Sequence, residues 1–214
     1  PVGSIGVTAM YVVAKPSTTV KNVKELVDFA KANPGKLSYA SSGAGTPPHL
    51  AVELLKMRTG MFATHIPYRG SAPALQDVMG NQADFVFDPG IAFPHIRSGK
   101  VKLLGVASAK RSPFFPDSPT LAEQGIKGAE LDIWFGMCTP NGTPPEIIAR
   151  LNRELAKVLA KPAAKERFAN LGAEPAAKDQ AAFRKLLADE GSVLASVIKS
   201  QNISADQVAN PDAM

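Results

Sequence analysis

Apolar and polar positions alternate along the first hundred residues so that strands and helices are predicted in turn. Val7–Val13 is an unbroken apolar run rich in β-formers, closed by Lys15-Pro16, and reads as one buried strand. Asn22-x-x-Glu25 has the form of a capping box, and Val23, Leu26, Val27 and Ala30 follow at helical spacing until Pro34-Gly35. Leu37–Ala40 is a short strand, Ser41–Gly45 a loop, and Thr46 with Pro47 opens a helix whose apolar positions are Leu50, Leu54 and Met57. The pattern then repeats. Strands are predicted at Ala63–Ile66, Ala83–Phe87 and Val101–Ala107, and helices at Ala74–Met79 and Ile91–Arg97. Strands joined through short helices imply a parallel α/β sheet.

Residues 111–119 (RSPFFPDSP) interrupt this rhythm. Thr120-x-x-Glu123 predicts another capped helix, and Asp132–Cys138 a strand. Thr143-x-x-Glu146, with Pro144 at the first helical position, predicts a helix with Ile147, Ile148, Leu151, Leu155 and Leu159 on one face. Further helices are expected over 163–171 and 180–201, and a frayed end over 204–214.

Composition narrows the function. In 214 residues, 45% hydrophobic and 20% charged, there is enough apolar material for a sizeable core, and no apolar run is long enough to span a bilayer. The single cysteine, Cys138, excludes an internal disulfide and is read as a small buried residue. His49, His65 and His95 are too dispersed for a metal-binding motif, so no metal or other cofactor is expected. The net charge of +5 suits solubility or a preference for anions. Basic residues scattered among acids, with only 7% aromatics, argue against nucleic acid. No G-x-S-x-G elbow or paired nucleophile and base is present, so no catalytic residue is assigned.

Three loops could carry binding. Ser41-Ser42-Gly43-Ala44-Gly45-Thr46 runs from a strand into a helix N-terminus, where small residues, hydroxyls and backbone amides suit an anion. It is equally a tight βα turn with capping only. It matches neither the dinucleotide fingerprint nor the P-loop. Tyr68-Arg69-Gly70-Ser71-Ala72 would lie at the same sheet edge, offering a phenol and a cation, or else a packing tyrosine and a surface arginine. Asp88 either reads a ligand or caps its own turn. His49 either touches a ligand or packs within the fold. Trp134 and Phe135 read as core or hinge residues.

The order of motifs resembles a known receptor family. The resemblance runs through Lys31-Ala-Asn-Pro34-Gly35-Lys36-Leu37, Tyr39-Ala-Ser-Ser-Gly43-Ala-Gly45-Thr46, His49-Leu-Ala-Val-Glu53-Leu54 and Ile66-Pro-Tyr68-Arg-Gly70-Ser-Ala-Pro73. It continues through Pro94-His-Ile-Arg-Ser-Gly99-Lys100, Pro116-Asp-Ser-Pro119-Thr120-Leu-Ala-Glu123, Trp134-Phe-Gly136 and Gly142-Thr-Pro144. The chain thus resembles the Bug (TctC-like) solute-binding receptors of tripartite tricarboxylate transporters. The resemblance implies a periplasmic-binding-protein type II-like α/β fold of two lobes with parallel-rich sheets. It also implies periplasmic capture of a small carboxylate, delivery to membrane subunits of the transporter, and no cofactor. Ser41, Ser42, Gly43, Gly45, Thr46, His49, Tyr68, Arg69, Gly70, Ser71, Ala72 and Asp88 are the expected ligand-binding residues. A regulator's ligand-sensing domain and a small α/β enzyme using Ser42 or His49 are the alternatives. The family has a longer N-terminal segment than this chain, which lacks an initiator Met and a signal peptide and reads as processed or truncated. Residues 14–132 are then expected to form the complete second lobe, and 1–13 with 133–214 an incomplete first lobe. Apolar surface left bare on the first lobe predicts self-association or an altered first lobe.

Overall fold

The computed structural model describes residues 1–204. Their chain divides into two units, Pro1–Thr8 with Asp132–Ala195, and Ala9–Leu131 with the residues from Ser196 onward. The expected boundary at 13/14 therefore lies at 8/9. The run read as one strand is two, β1 (Gly3–Thr8) and β2 (Tyr11–Ala14), which belong to different sheets. Val7-Thr8 at the end of β1 run through Ala9-Met10 into β2 with no charged or turn residue between them, so hydropathy does not mark the break.

The larger unit holds a five-stranded sheet in the order β4-β3-β5-β2-β6. Strands β3 (Ser38–Ser41), β4 (Thr64–Pro67) and β5 (Phe85–Asp88) run parallel, as the alternating pattern predicts. β2 lies antiparallel between β5 and β6 (Lys102–Val106). Successive side chains of a strand face opposite ways. Ala40 and Val86 therefore join Tyr11, Val13 and Val106 under α3 (Ser71–Met79), whose Ala74, Leu75 and Val78 are buried there with Phe93 of α4 (Phe93–Arg97). Tyr39 and Phe85 face the other side, toward α2 (Pro47–Thr59). Residues Pro48–Leu55 of α2 are all buried, so this helix has no polar face over two turns.

Helix α1 (Val23–Ala32) starts at the predicted cap, where Asn22 Oδ1 accepts the Glu25 amide at 2.8 Å and Glu25 Oε2 accepts the Lys21 amide at 2.8 Å. The box at Thr120 also forms, with the Glu123 amide donating to Thr120 Oγ1 at 3.1 Å, but only a turn follows. Gly125 stands in the left-handed region two residues beyond the box, and the Leu121 amide pairs with Val106 O, which ties this segment to the sheet.

The smaller unit is an antiparallel sheet, β7-β1-β8. β7 is Ile133–Met137 and β8 is Glu174–Lys178. β8 carries no β-branched or aromatic residue and was not predicted; pairing with β1 makes it a strand. Gly6 and Gly136 are required by packing. A Cβ at Gly6 would stand 2.2 Å from the Phe168 ring of α6 (Pro162–Asn170), and one at Gly136 2.1 Å from the Phe183 ring of α7 (Gln180–Ser200). Helix α5 (Pro145–Leu159) begins one residue later than predicted, because the Thr143 hydroxyl bonds Pro140 O in the preceding turn rather than capping the helix. Its Ile147, Leu151 and Val158 are exposed, and only Leu159 is buried. Trp134 is half-buried and Phe135 exposed, so neither is a core residue. Cys138, expected inside, is exposed, since it follows an edge strand directly. The frayed end predicted over 204–214 lies, beyond Ser204, outside the described residues.

Candidate functional site

Strands β3, β4 and β5 end together, with Ser41 paired to Pro67 and Asp88 just beyond the β3–β5 register. The loops that leave them therefore share one edge of the larger unit, the edge where parallel α/β sheets hold ligands.

The first loop is tied to itself. Gly43 stands at φ +131° and Gly45 at φ +74°, backbone values that L-residues resist. The Gly43 amide donates to Ser41 Oγ at 3.1 Å, and Gly43 O accepts the Thr46 hydroxyl at 2.7 Å. The Ser42 hydroxyl donates to Thr46 Oγ1 at 3.0 Å. The Gly45 amide donates to His49 Nδ1 at 2.9 Å. Both glycine amides expected to face a ligand are thus committed within the protein. The helix adds little, because α2 opens with Pro47 and Pro48, which have no N–H. Thr46, its N-cap, makes no side-chain cap bond.

The second loop is open. Gly70, at φ +119° and ψ 168°, turns the chain into α3 in a conformation essentially confined to glycine. The amides of Ser71 and Ala72 occupy the first two helical positions, which have no intrahelical acceptor, and they form no hydrogen bond with the described residues. Ala72 is exposed and Ser71 half-buried. Arg69 is exposed and forms no ion pair with the described residues. Tyr68 faces away from this edge. Its hydroxyl donates to Asp77 Oδ2 at 2.7 Å, and burial, with that bond, pushes the phenol up to about 12.

Three expected contacts lie beneath the surface and support the loops instead. Asp88, 1% exposed, accepts the Gly90 and Ala92 amides at 2.7 and 2.9 Å, so it caps its own turn. Ser41 is fully buried, with its hydroxyl 2.6 Å from His65 Nε2. His49 is buried with its ring turned inward, stacked on His65 at 3.9 Å between centroids and 8° between planes. Tyr39 lies nearly parallel to both imidazoles, 4.8 Å from His65 and 6.2 Å from His49 between centroids. Its hydroxyl donates to Glu53, which also accepts Lys56 Nζ at 2.7 Å and stands 3.9 Å from His49 Nε2. Sequence reasoning missed His65 and Glu53. The helical spacing of His49 and Glu53 (i, i+4) was the one available signal.

Burial holds both imidazoles neutral, His65 down to about 3 and His49 also below its ordinary 6.5. Below pH 6.5 the unfolded chain takes up protons that the folded chain refuses, so this contribution to stability declines as pH falls from 6.5 toward about 3. Asp88 has the opposite sign. Burial raises it from 3.8 to about 6, so the folded form gains on acidification between those values. Thermal unfolding followed from pH 7 to pH 4 should show a shallower decline for His65→Gln, and a steeper one for Asp88→Asn.

Known proteins similar to this chain include solved periplasmic binding proteins. The solved structure of R. palustris Rpa4515 with adipate superposes with a TM-score of 0.85 at 32% identity, covering 95% of this chain and 69% of that one. The periplasmic binding protein BugD gives a TM-score of 0.82 at 35% identity, covering 95% and 69%. Protein BugT of Bordetella pertussis is 36% identical over 201 residues, 93% of this chain. The chain spans 61% of BugT's length. The profile of the TctC family, described as tripartite tricarboxylate transporter family receptor, matches residues 1–203. The chain belongs to this family.

Proposed function

We propose that the protein captures a small carboxylate in the periplasm and delivers it to the membrane subunits of a tripartite tricarboxylate-type transporter, without turnover. The observation that carries this reading is the pair of α3 amides, Ser71 and Ala72, that form no hydrogen bond with the described residues, beside Arg69, in a member of this receptor family. Two N–H groups at a helix N-terminus suit two carboxylate oxygens, and the helix dipole favours the charge. The Ser71 hydroxyl and the Arg69 guanidinium add donors. The self-tied loop Ser42–Thr46 forms the wall beside them, and Ser42 contributes once its hydrogen turns from Thr46 to the ligand. Adipate in a relative of the same fold supports the ligand class. Among the described residues no helix is long and apolar enough to cross a membrane.

The test is calorimetry and thermal unfolding against a panel of di- and tricarboxylates, aromatic acids and acidic amino acids. A ligand at a hundred times its Kd adds about 2.7 kcal/mol, a rise of roughly 5–11 °C for a chain of this size. No response across the panel overturns the reading.

Self-association belongs to the same proposal, supported by the exposed Ile147, Leu151 and Val158 of α5. Sedimentation at tens of micromolar should give a species larger than a monomer, and Leu151→Glu should shift it to monomer, because association would bury the new unpaired charge. A wild-type monomer contradicts this part.

A further inference from the structure

Buried His49 and half-buried His65 are each bonded to the first loop. His49 takes the Gly45 amide on Nδ1 at 2.9 Å. Because that nitrogen accepts, the ring's hydrogen sits on Nε2, toward Glu53. His65 Nε2 meets Ser41 Oγ at 2.6 Å, and the same oxygen accepts the Gly43 amide at 3.1 Å. Ser41 has one hydrogen, for either His65 or Gly43 O, and the 2.6 Å contact is the shorter. Each glycine of the loop is therefore fixed by one imidazole, Gly45 directly and Gly43 through Ser41. The rings themselves are fixed by mutual stacking within the cluster of His49, His65 and Tyr39.

We propose that the stacked pair His49–His65 is the positioning device of the anion-binding edge. It holds the Ser41–Thr46 loop in its left-handed glycine conformation and keeps that wall in place for a ligand. The inference rests on the reading of the edge as a carboxylate site only where it speaks of affinity; the loop geometry stands apart from it. Neither ring touches ligand in this account; both act through the loop. Groups facing the pair are Glu53 and Lys56 from α2, Tyr39 and Ser41 from β3, and the apolar Phe85 of β5 behind Tyr39. Glu53 is neutralised by Lys56 at 2.7 Å and so offers little to a second cation. A proton on His49 Nδ1 turns the acceptor of the Gly45 amide into a donor, so acidification releases the loop.

Conservative and non-conservative variants separate positioning from mere packing. His49→Phe keeps a stacking ring and loses the acceptor. His49→Asn loses the ring and restores an acceptor near the Nδ1 position. The readouts are the Gly45 amide resonance and its hydrogen exchange in ligand-free protein, and the Kd for adipate. In His49→Phe the Gly45 exchange should accelerate, and the Kd should rise, each by about tenfold, the scale of one lost hydrogen bond. His49→Asn should recover most of both. In the wild type the Gly45 resonance should move on acidification below pH 6.5 before the fold is lost. A Gly45 resonance and exchange rate unchanged in His49→Phe overturn the proposal, as does His49→Asn behaving like His49→Phe. Should adipate and the carboxylate panel fail to bind wild type while Gly45 is released in His49→Phe, the positioning device stands and the carboxylate reading falls.

Discussion

Ala72→Asp weakens carboxylate capture by at least about tenfold and leaves the fold as stable as before, or slightly more so. Ala72 is exposed at the second position of α3, so the new side chain meets no steric obstacle. Its carboxylate takes the place at the helix N-terminus that the ligand needs. Two like charges about 5 Å apart at an effective dielectric near 20 repel by roughly 3 kcal/mol, on the order of a hundredfold in affinity. Solvent at this open edge screens part of that, hence the lower bound. The same charge favours the helix dipole by about 0.3–1 kcal/mol. Calorimetry with adipate and a thermal melt on one preparation check both halves. Unchanged affinity in a folded variant means that the ligand does not sit on α3.

Glu53→Ala is the larger effect on stability, about 3–5 kcal/mol, which lowers Tm by roughly 6–20 °C. The carboxylate is 5% exposed and serves Tyr39, Lys56 and the His49 face together. Removing it leaves a buried hydroxyl and an ammonium only 14% exposed without their partner. Burial, the main cause that holds the Tyr39 phenol far above its ordinary range, persists in the variant, so the phenol stays neutral. Glu53→Gln keeps an acceptor for Tyr39 and costs less. Adding Lys56→Met to Glu53→Ala should recover part of the loss, since the stranded charge goes with it. Denaturation followed by circular dichroism measures all three.

Local signals were legible where the physics is local. The Asn22 cap, the βα alternation and the glycines at the edge all rest on neighbours within a few residues, and the family's motifs run through the same segments. What failed depends on distance along the chain. The end of β1 and the start of β2 fall in one run, because Ala9-Met10 between them carries no charged or turn residue although the strands belong to different sheets. β8 reads as non-strand, because its pairing partner lies about 170 residues away. At the site, Gly43 and Gly45 suggested free amides, and nothing near them in sequence announces that Ser41 and His49 consume those donors. His65 is sixteen positions beyond His49 and reaches it only because β4 pairs with β3 while α2 packs over the same strand. Pro47 and Pro48 were readable, since a helix that starts on two prolines has few amides to give. Their weight moves the proposed anion site from α2 to α3.

Backbone spectra of 15N-labelled protein titrated with adipate address the central claim most directly. Saturable shifts should centre on Ser71 and Ala72, with smaller ones at Ser42 and Arg69. Saturable binding that leaves the Ser71 and Ala72 amides unmoved would contradict it.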